Sequence, residues 1–376
     1  MSAEDSSGAT AVDRLAARAL SLVDVPSESG HEEPVLSAIR AALPERMELL
    51  DDADSVVFVG PPDPRAEVPF VVLAGHVDTV PIAGNVPGAL DGSAIVGRGA
   101  ADMKGALAVM LEIARDAERS EGSLDLGLLF FGREELPFGE SALLPLFERC
   151  PAASRPDLAI VMEPTDNTIQ LGCLGNLNAT VTVRGRATHS ARPWLGDNAI
   201  HRAIEALAPI ADLPVRDVTV EGLTFREVMS VTSIQGGVAA NVIPDRVEAG
   251  INYRYAPVHT PQEAETRLAE LLAAADVEVR IDGNAPAGPV NIANGLVSRL
   301  VEAVGLPVGP KQAWTPVAEF ALAGVDAVNF GPGDPQYAHR DDERVEVPSL
   351  VSCLETLRAF FGIGSTDDHG ELEGTT

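Results

Sequence analysis

Four short apolar runs constrain this chain more than any other feature: Phe70–Ala74, Leu124–Phe131, Leu158–Met162 and Val325–Phe330. Nearly every residue in them is hydrophobic, so strands built from them are buried on both faces. A sheet sandwiched by helices offers that environment. Helical periodicity surrounds the runs, at Ala11–Val23, Glu33–Ala42, Lys104–Arg119 and Leu296–Val304. The pattern predicts an α/β fold.

Each run also leads into polar chemistry. The first continues into Gly75-His76-Val77-Asp78, the second into Gly132-Arg133-Glu134-Glu135, the third into Glu163-Pro164, and the fourth, after GPGDPQYA, into His339. Ligand sites of open α/β sheets lie beyond the carboxyl ends of parallel strands. Four strands delivering His, Asp and Glu to one edge is what a metal site needs. A fifth cluster, GRGAADMK, places Asp102 at the expected N-cap of a helix beginning near Met103. Singly, each cluster has an ordinary reading: an Asp cap, a solvated Glu-Glu turn, a surface histidine. If the fold joins them, Asp78, Asp102, Glu134, Glu135 and Glu163 bring five carboxylates into one crevice. Such a group cannot all ionise near neutral pH without cations, and two divalent ions are the economical supply.

The middle third follows another pattern. Leu177–Arg184 alternates like a half-exposed strand, Asp197–Leu207 reads as an amphipathic helix, and strands follow at Val228–Gln235 and Arg246–Tyr255. Thr260–Ala274 reads as a helix with Thr260 as N-cap and Pro261 at its first position, and Val277–Asp282 as a last strand. This β-α-β-β-α-β order is that of a ferredoxin-like unit. Residues 175–286 are therefore expected to be an inserted domain, with 1–174 and 287–376 forming a discontinuous main domain whose ends, 1–11 and 364–376, are polar tails. A chain of 376 residues suits two domains at ~150 residues each.

Composition narrows the partners. The formal net charge is −29, only two lysines occur, and no basic cluster exists. Nucleic acid and anionic membranes both need a positive footprint, so neither is an expected partner. The apolar runs fall short of the ~18–20 residues of a membrane span. The first residues lack the basic and apolar regions of a signal peptide. Three widely spaced cysteines, Cys150, Cys173 and Cys353, argue against a disulfide framework and fit a reducing cytoplasm.

Taken jointly, LAGHVDTVP, GRGAADMKGA, the Glu134-Glu135 pair, MEPT, RATHSA and NVIPD resemble the di-zinc amidohydrolases and exopeptidases of the M20 metallopeptidase family, over residues 12–362. More narrowly, HSARPWLGDNAIH, GGVAANVIPD, INYRYAP and NFGPGDPQYAHRDDE are similar to the actinobacterial-type succinyl-diaminopimelate desuccinylases. That branch releases succinate and LL-diaminopimelate for lysine and cell-wall precursors. Its relatives act on other N-acyl amino acids and small peptides, among them N-acetylornithine.

The resemblance implies a zinc-dependent exopeptidase-like catalytic domain with an inserted dimerisation or lid domain, and a homodimer formed through residues 175–286. It implies two zinc ions, for which cobalt or manganese are possible substitutes. His76 and Glu163 would hold one ion, Glu135 and His339 the other, and Asp102 would bridge them. Asp78 would orient His76, and Glu134 would be the general base. His189 would reach the partner subunit's site and stabilise the oxyanion, while Asn241 and Arg254 would contact substrate. An arginine suits a succinyl carboxylate entering an acidic protein. The chain departs from the pattern at Cys173-Leu174, where related enzymes carry basic residues, at Leu136-Pro137-Phe138-Gly139 after the Glu pair, and at Pro316 and Glu319. These positions bear on acyl-group selectivity and remove no metal ligand.

Overall fold

A computed structural model describes residues 10–61, 65–120, 122–305 and 308–364. Of the expected tails, only residues 10, 11 and 364 are among them. The chain divides into two compact units: residues 1–171, 291–309 and 319–376, and residues 172–290 with 310–318.

The first unit is built on an eight-stranded mixed sheet. Phe70–His76 runs at its centre, parallel to Asp125–Phe131 on one side and Leu158–Val161 on the other. Ala327–Asn329 extends the parallel set beyond Leu158–Val161. Antiparallel strands then flank the four: Val56–Gly60 pairs with Asp125–Phe131, and Gln170–Leu171 pairs with Ala327–Asn329. Every residue of Asp125–Phe131 and of Leu158–Val161 is buried, as their composition requires. Helices Ala11–Val23, Gly105–Arg119 and Val347–Phe361 pack together. Two ion pairs clamp them, Arg14–Glu112 at 2.8 Å and Arg358–Asp116 at 2.7 Å. Both carboxylates are wholly buried, and such charges are tolerated inside a protein when paired.

The helix after GRGAADMK starts later than its sequence suggests. Ala100–Lys104 forms a wide turn, Asp102 sits in it at φ −126° and ψ 89°, and the helix proper begins at Gly105. Asp102 is therefore not an N-cap, and its carboxylate is not spent on helix amides. Gly75 lets this helix close onto the central strand. A Cβ there would meet Leu107 at 2.7 Å and Met103 at 2.8 Å, directly beside His76.

In the second unit the sheet runs Arg216–Val220, Leu223–Gly236, Arg246–Tyr255, Gly175–Arg184, Glu278–Ala285, with every neighbour antiparallel. Leu177, Ala179, Val181 and Val183 share one face with Val247, Ala249, Ile251 and Tyr253. Helices Ala199–Ala211 and Pro261–Leu272 cover that face. Thr260 caps the second helix in a reciprocal capping box with Glu263. The edge strand Arg216–Val220 is additional to the expected elements. It forms a hairpin through Glu221 and Gly222, both at positive φ, the geometry that tight hairpins need. Residues 310–318 join this unit through hydrogen bonds from Trp314 to the Pro286 carbonyl and between Gln312 and both Arg226 and Thr224. No helix among the described residues is long and apolar enough to cross a membrane.

Glu319 is wholly buried, and neither carboxyl oxygen makes a well-formed hydrogen bond. Burial pushes its pKa up to about 8, against a weaker downward pull from the Ser141 hydroxyl. The native state therefore keeps a proton that the unfolded chain releases above pH ~4.3. The unfolded state binds fewer protons across that window, so this group makes stability fall as pH rises from there to about 8. Glu319→Gln is expected to be more stable than the parent at pH 8 and to lack this component of the slope. Denaturant melts at pH 5 and pH 8 check it, and parallel stability curves for the two proteins would contradict it.

Candidate metal centre

The central strand delivers His76 to the sheet's edge with 1% of its surface exposed. Its Nδ1 lies 3.0 Å from the Asp78 backbone carbonyl. A carbonyl can only accept, so Nδ1 carries a proton, and Nε2 is the nitrogen turned to the carboxylates. Nε2 faces Asp102 Oδ1 at 2.9 Å and Glu163 Oε1 at 4.0 Å. The other oxygen of Asp102, Oδ2, is 3.4 Å from His339 Nε2, which is also 2.9 Å from Glu135 Oε1. One carboxylate thus addresses two imidazoles, and each imidazole has a further carboxylate beside it.

Asp78 acts mainly on another segment. Its carboxylate is 3.6 Å from His76 Nδ1, beyond a good hydrogen bond, and the backbone carbonyl makes that contact instead. The Asp78 oxygens accept from the backbone N–H groups of Glu134 and Glu135, each at 3.1 Å, and from the Ser29 hydroxyl at 2.7 Å. They pin the turn that follows strand Asp125–Phe131. Arg133 enters this turn at φ 62° and is tied to Asp54 at 2.9 Å.

A second clasp has no mark in the sequence. Glu343 is buried, and its Oε1 accepts from the N–H groups of Ala101 and Asp102 at 3.2 and 3.1 Å. Its Oε2 takes a 2.9 Å bond from buried Arg98, which also donates to the Arg340 carbonyl. The loop carrying His339, itself at φ 64°, is thereby stitched to the turn carrying Asp102. In the sequence Glu343 is one acid among several in HRDDE, and nothing local marks it as buried.

The electrostatics reflect crowding. Burial opposes charge on His76, but Asp102 and Asp78 more than offset it and hold its pKa well above the usual value. Asp102 and Glu135 raise His339 to about 10. Burial and then the charge of Glu163 push Glu134 well above the ordinary carboxyl range. With protons alone to balance the charge, the imidazoles take them. A divalent cation would replace those protons on the same lone pairs.

Donor atoms of His76, Asp102 and Glu135 lie within 4.8 Å of one another. Ligands at 2.0–2.1 Å around a tetrahedral ion are separated by roughly 3.3–3.5 Å. The observed spacings of 2.9, 3.4 and 4.0 Å bracket that edge. Two imidazole nitrogens with carboxylate oxygens are a donor set for zinc and its first-row neighbours. The residues present fit a metal centre.

The remaining expected site residues belong to the second unit. His189 is exposed in a two-stranded ladder, Thr188–His189 against Val242–Ile243, and its Nδ1 accepts from the Ala191 N–H at 3.1 Å. Asn241 adjoins the same ladder, its carbonyl accepting from the Ser190 N–H at 2.9 Å. Arg254 lies on the five-stranded sheet, its Nε donating to Asn252 Oδ1 at 3.1 Å. Cys173 is buried, and burial lifts its thiol to about 11, so it is no nucleophile. Lys104 donates to the Val25 carbonyl at 2.7 Å, a local structural bond.

The chain is similar to several known proteins. A succinyl-diaminopimelate desuccinylase of Corynebacterium glutamicum is 35% identical over 347 residues, covering 90% of this chain and 94% of that protein. A provisionally named succinyl-diaminopimelate desuccinylase of Mycobacterium tuberculosis is 38% identical over 344 residues, covering 91% of this chain and 96% of the relative. Among solved structures, an M20 family metallo-carboxypeptidase of Sulfolobus solfataricus superposes with a TM-score of 0.76 at 17% identity, over 93% of this chain and 99% of its own. Residues 72–362 match the profile of peptidase family M20/M25/M40, and with His and carboxylate donors gathered at the ends of its parallel strands the chain belongs to that family of hydrolases.

Proposed function

We propose that the chain hydrolyses the amide bond of N-succinyl-LL-2,6-diaminopimelate, releasing succinate and LL-diaminopimelate in the supply of lysine and cell-wall precursors. The Asp102 carboxylate carries the chemical part of this reading, because its two oxygens face the Nε2 atoms of His76 and His339. The names of the relatives at 38% and 35% identity support the substrate.

His76 and Glu163 would hold one zinc ion and Glu135 and His339 the other, with Asp102 shared between the two pairs. Such a metal pair would supply polarisation of the scissile carbonyl and a more acidic water. Glu134 does the proton work. Burial and the neighbouring charge of Glu163 raise its carboxyl well above the ordinary range, and it takes a proton from the attacking water and passes it to the leaving amine. Asp78 holds the backbone beneath Glu134 and so fixes where the base stands. Arg254 receives the succinyl carboxylate, and Asn241 contacts the scissile region. His189 acts in the partner subunit's site within a homodimer built through the second unit. Exposed Trp194, Ile234 and Val238 on that unit supply apolar surface for such an interface. Three buried free cysteines suit a reducing cytoplasm.

Steady-state hydrolysis of N-succinyl-LL-diaminopimelate beside N-acetylornithine, with and without a chelator, tests the substrate. Chelator-sensitive preference for the succinyl compound is expected. Turnover of the acetyl compound alone would keep the mechanism and reject the substrate. Glu134→Gln is expected to retain its metal by elemental analysis and to lose about 100- to 10,000-fold in kcat. Loss of metal would instead make Glu134 a ligand. His189→Ala is expected to lose about 100- to 1,000-fold in kcat with an unchanged melting temperature. Mixing it with Glu134→Gln after subunit exchange should recover roughly a quarter of parental activity, because half the dimers are then mixed and one site in each is whole. No recovery would place His189 in its own subunit's site or outside catalysis.

A further inference from the structure

The face of the second unit's sheet that its helices leave uncovered carries a row of amides beside Arg254. Along Gly175–Arg184 and Arg246–Tyr255 the apolar residues point to the helices, so Asn176, Asn178, Asn252 and Arg254 point to the other side. The register sets Asn252 opposite Asn178 and Arg254 opposite Asn176. Arg254 Nε donates to Asn252 Oδ1 at 3.1 Å. Asn252 Nδ2 donates to Asn176 Oδ1 at 2.7 Å and to Asn178 Oδ1 at 2.8 Å.

Only one orientation of the Asn252 amide satisfies these contacts. A guanidinium has donors and no acceptor, so Asn252 must present its oxygen to Arg254. Its NH2 then needs acceptors, and the two flanking asparagines offer their oxygens. The row is locked from the cationic end. It occupies Nε and leaves the Nη1/Nη2 edge of the guanidinium, the edge that grips a carboxylate bidentately. The partner is also neutral. Elsewhere in the chain arginines such as Arg14, Arg65, Arg98 and Arg149 are paired with carboxylates. Among the described residues no carboxylate pairs with half-buried Arg254, so its charge stays uncompensated.

We propose that Asn252, held by Asn176 and Asn178, is the positioning residue that aims the Arg254 guanidinium, unneutralised and with its Nη edge open, at the carboxylate of the substrate's acyl group. This rests on the reading of Arg254 as the residue that receives that carboxylate. An amide supplies direction without charge. A carboxylate at position 252 would hold the guanidinium as well, but it would compete with the substrate for it.

The test compares Arg254→Ala, Asn252→Asp and Asn252→Leu in the metal-loaded, full-length enzyme, by kcat and KM for N-succinyl-LL-diaminopimelate and by calorimetric titration with succinate. Asn252→Asp is expected to raise KM and weaken succinate binding ~100-fold, since it turns a free cation into an ion pair. Asn252→Leu, similar in volume but without an acceptor, is expected to cost ~10-fold in the same two quantities. In both variants kcat and metal content stay within a factor of three of the parent, a split that a merely structural residue would not produce. Unchanged KM and succinate affinity in Arg254→Ala would overturn the reading on which the proposal rests. A large effect in Arg254→Ala with parental values in both Asn252 variants would overturn the positioning role alone. If Asn252→Asp fails to fold, Asn252→Leu decides between these outcomes.

Discussion

Like-charge repulsion among Asp102, Glu134, Glu135 and Glu163 is the constraint around which the first unit is arranged. Four carboxylates gathered at the end of a buried sheet are unstable without positive charge among them. In the protein alone that charge comes from His76 and His339, whose pKa values are driven upward as a result. Divalent ions do the same work on the same lone pairs. The crowding that is unfavourable without cations is therefore what favours binding them, and folding and metal binding are linked.

Holding repelling groups in place needs rigid attachments behind them. Three of the donors stand at or just past the ends of adjacent parallel strands, where the sheet sets their spacing. The other two come from irregular segments, the Asp102 turn and the His339 loop, and these, like the turn that carries Glu134 and Glu135, are fastened by buried carboxylates. Asp78 accepts from the amides under Glu134 and Glu135, and Glu343 accepts from the amides at Ala101 and Asp102. Both carboxylates turn their oxygens to backbone N–H groups, which makes the hold directional; Asp78 stays below the usual carboxylate range, while burial lifts Glu343 against its bonds. The acidic composition of the site is thus divided between groups that face a cation and groups that brace them.

The second unit meets the opposite problem. In a chain of net charge −29 a free arginine attracts neighbours that would cancel it. The uncovered sheet face around Arg254 is furnished with asparagine amides, which orient the guanidinium through dipoles. The guanidinium thus keeps its charge uncancelled, and direction is supplied by groups that carry none.

Much of this was legible in the linear chain. Helices Ala11–Val23 and Glu33–Ala42 and strand Arg246–Tyr255 have the bounds their periodicity predicts, because an apolar stripe or alternation is a local property. The four apolar runs named the strands that carry His76, the Glu134-Glu135 turn, Glu163 and the His339 loop. Local pattern failed where long-range contacts decide conformation. Asp102 reads as a helix cap, yet a wide turn braced from Glu343, 241 residues away in sequence, frees its carboxylate. Residues 310–318 carry no periodicity that assigns them to the second unit; side-chain bonds to Pro286, Thr224 and Arg226 do so. The asparagine row has no signature either, since amides 76 residues apart meet only once their two strands pair in register. Residue types, strand and helix faces and the set of candidate donors belong to the sequence. Which oxygens face which nitrogens, and which charges are left unpaired, belong to the tertiary structure, because those follow from distances that only packing sets.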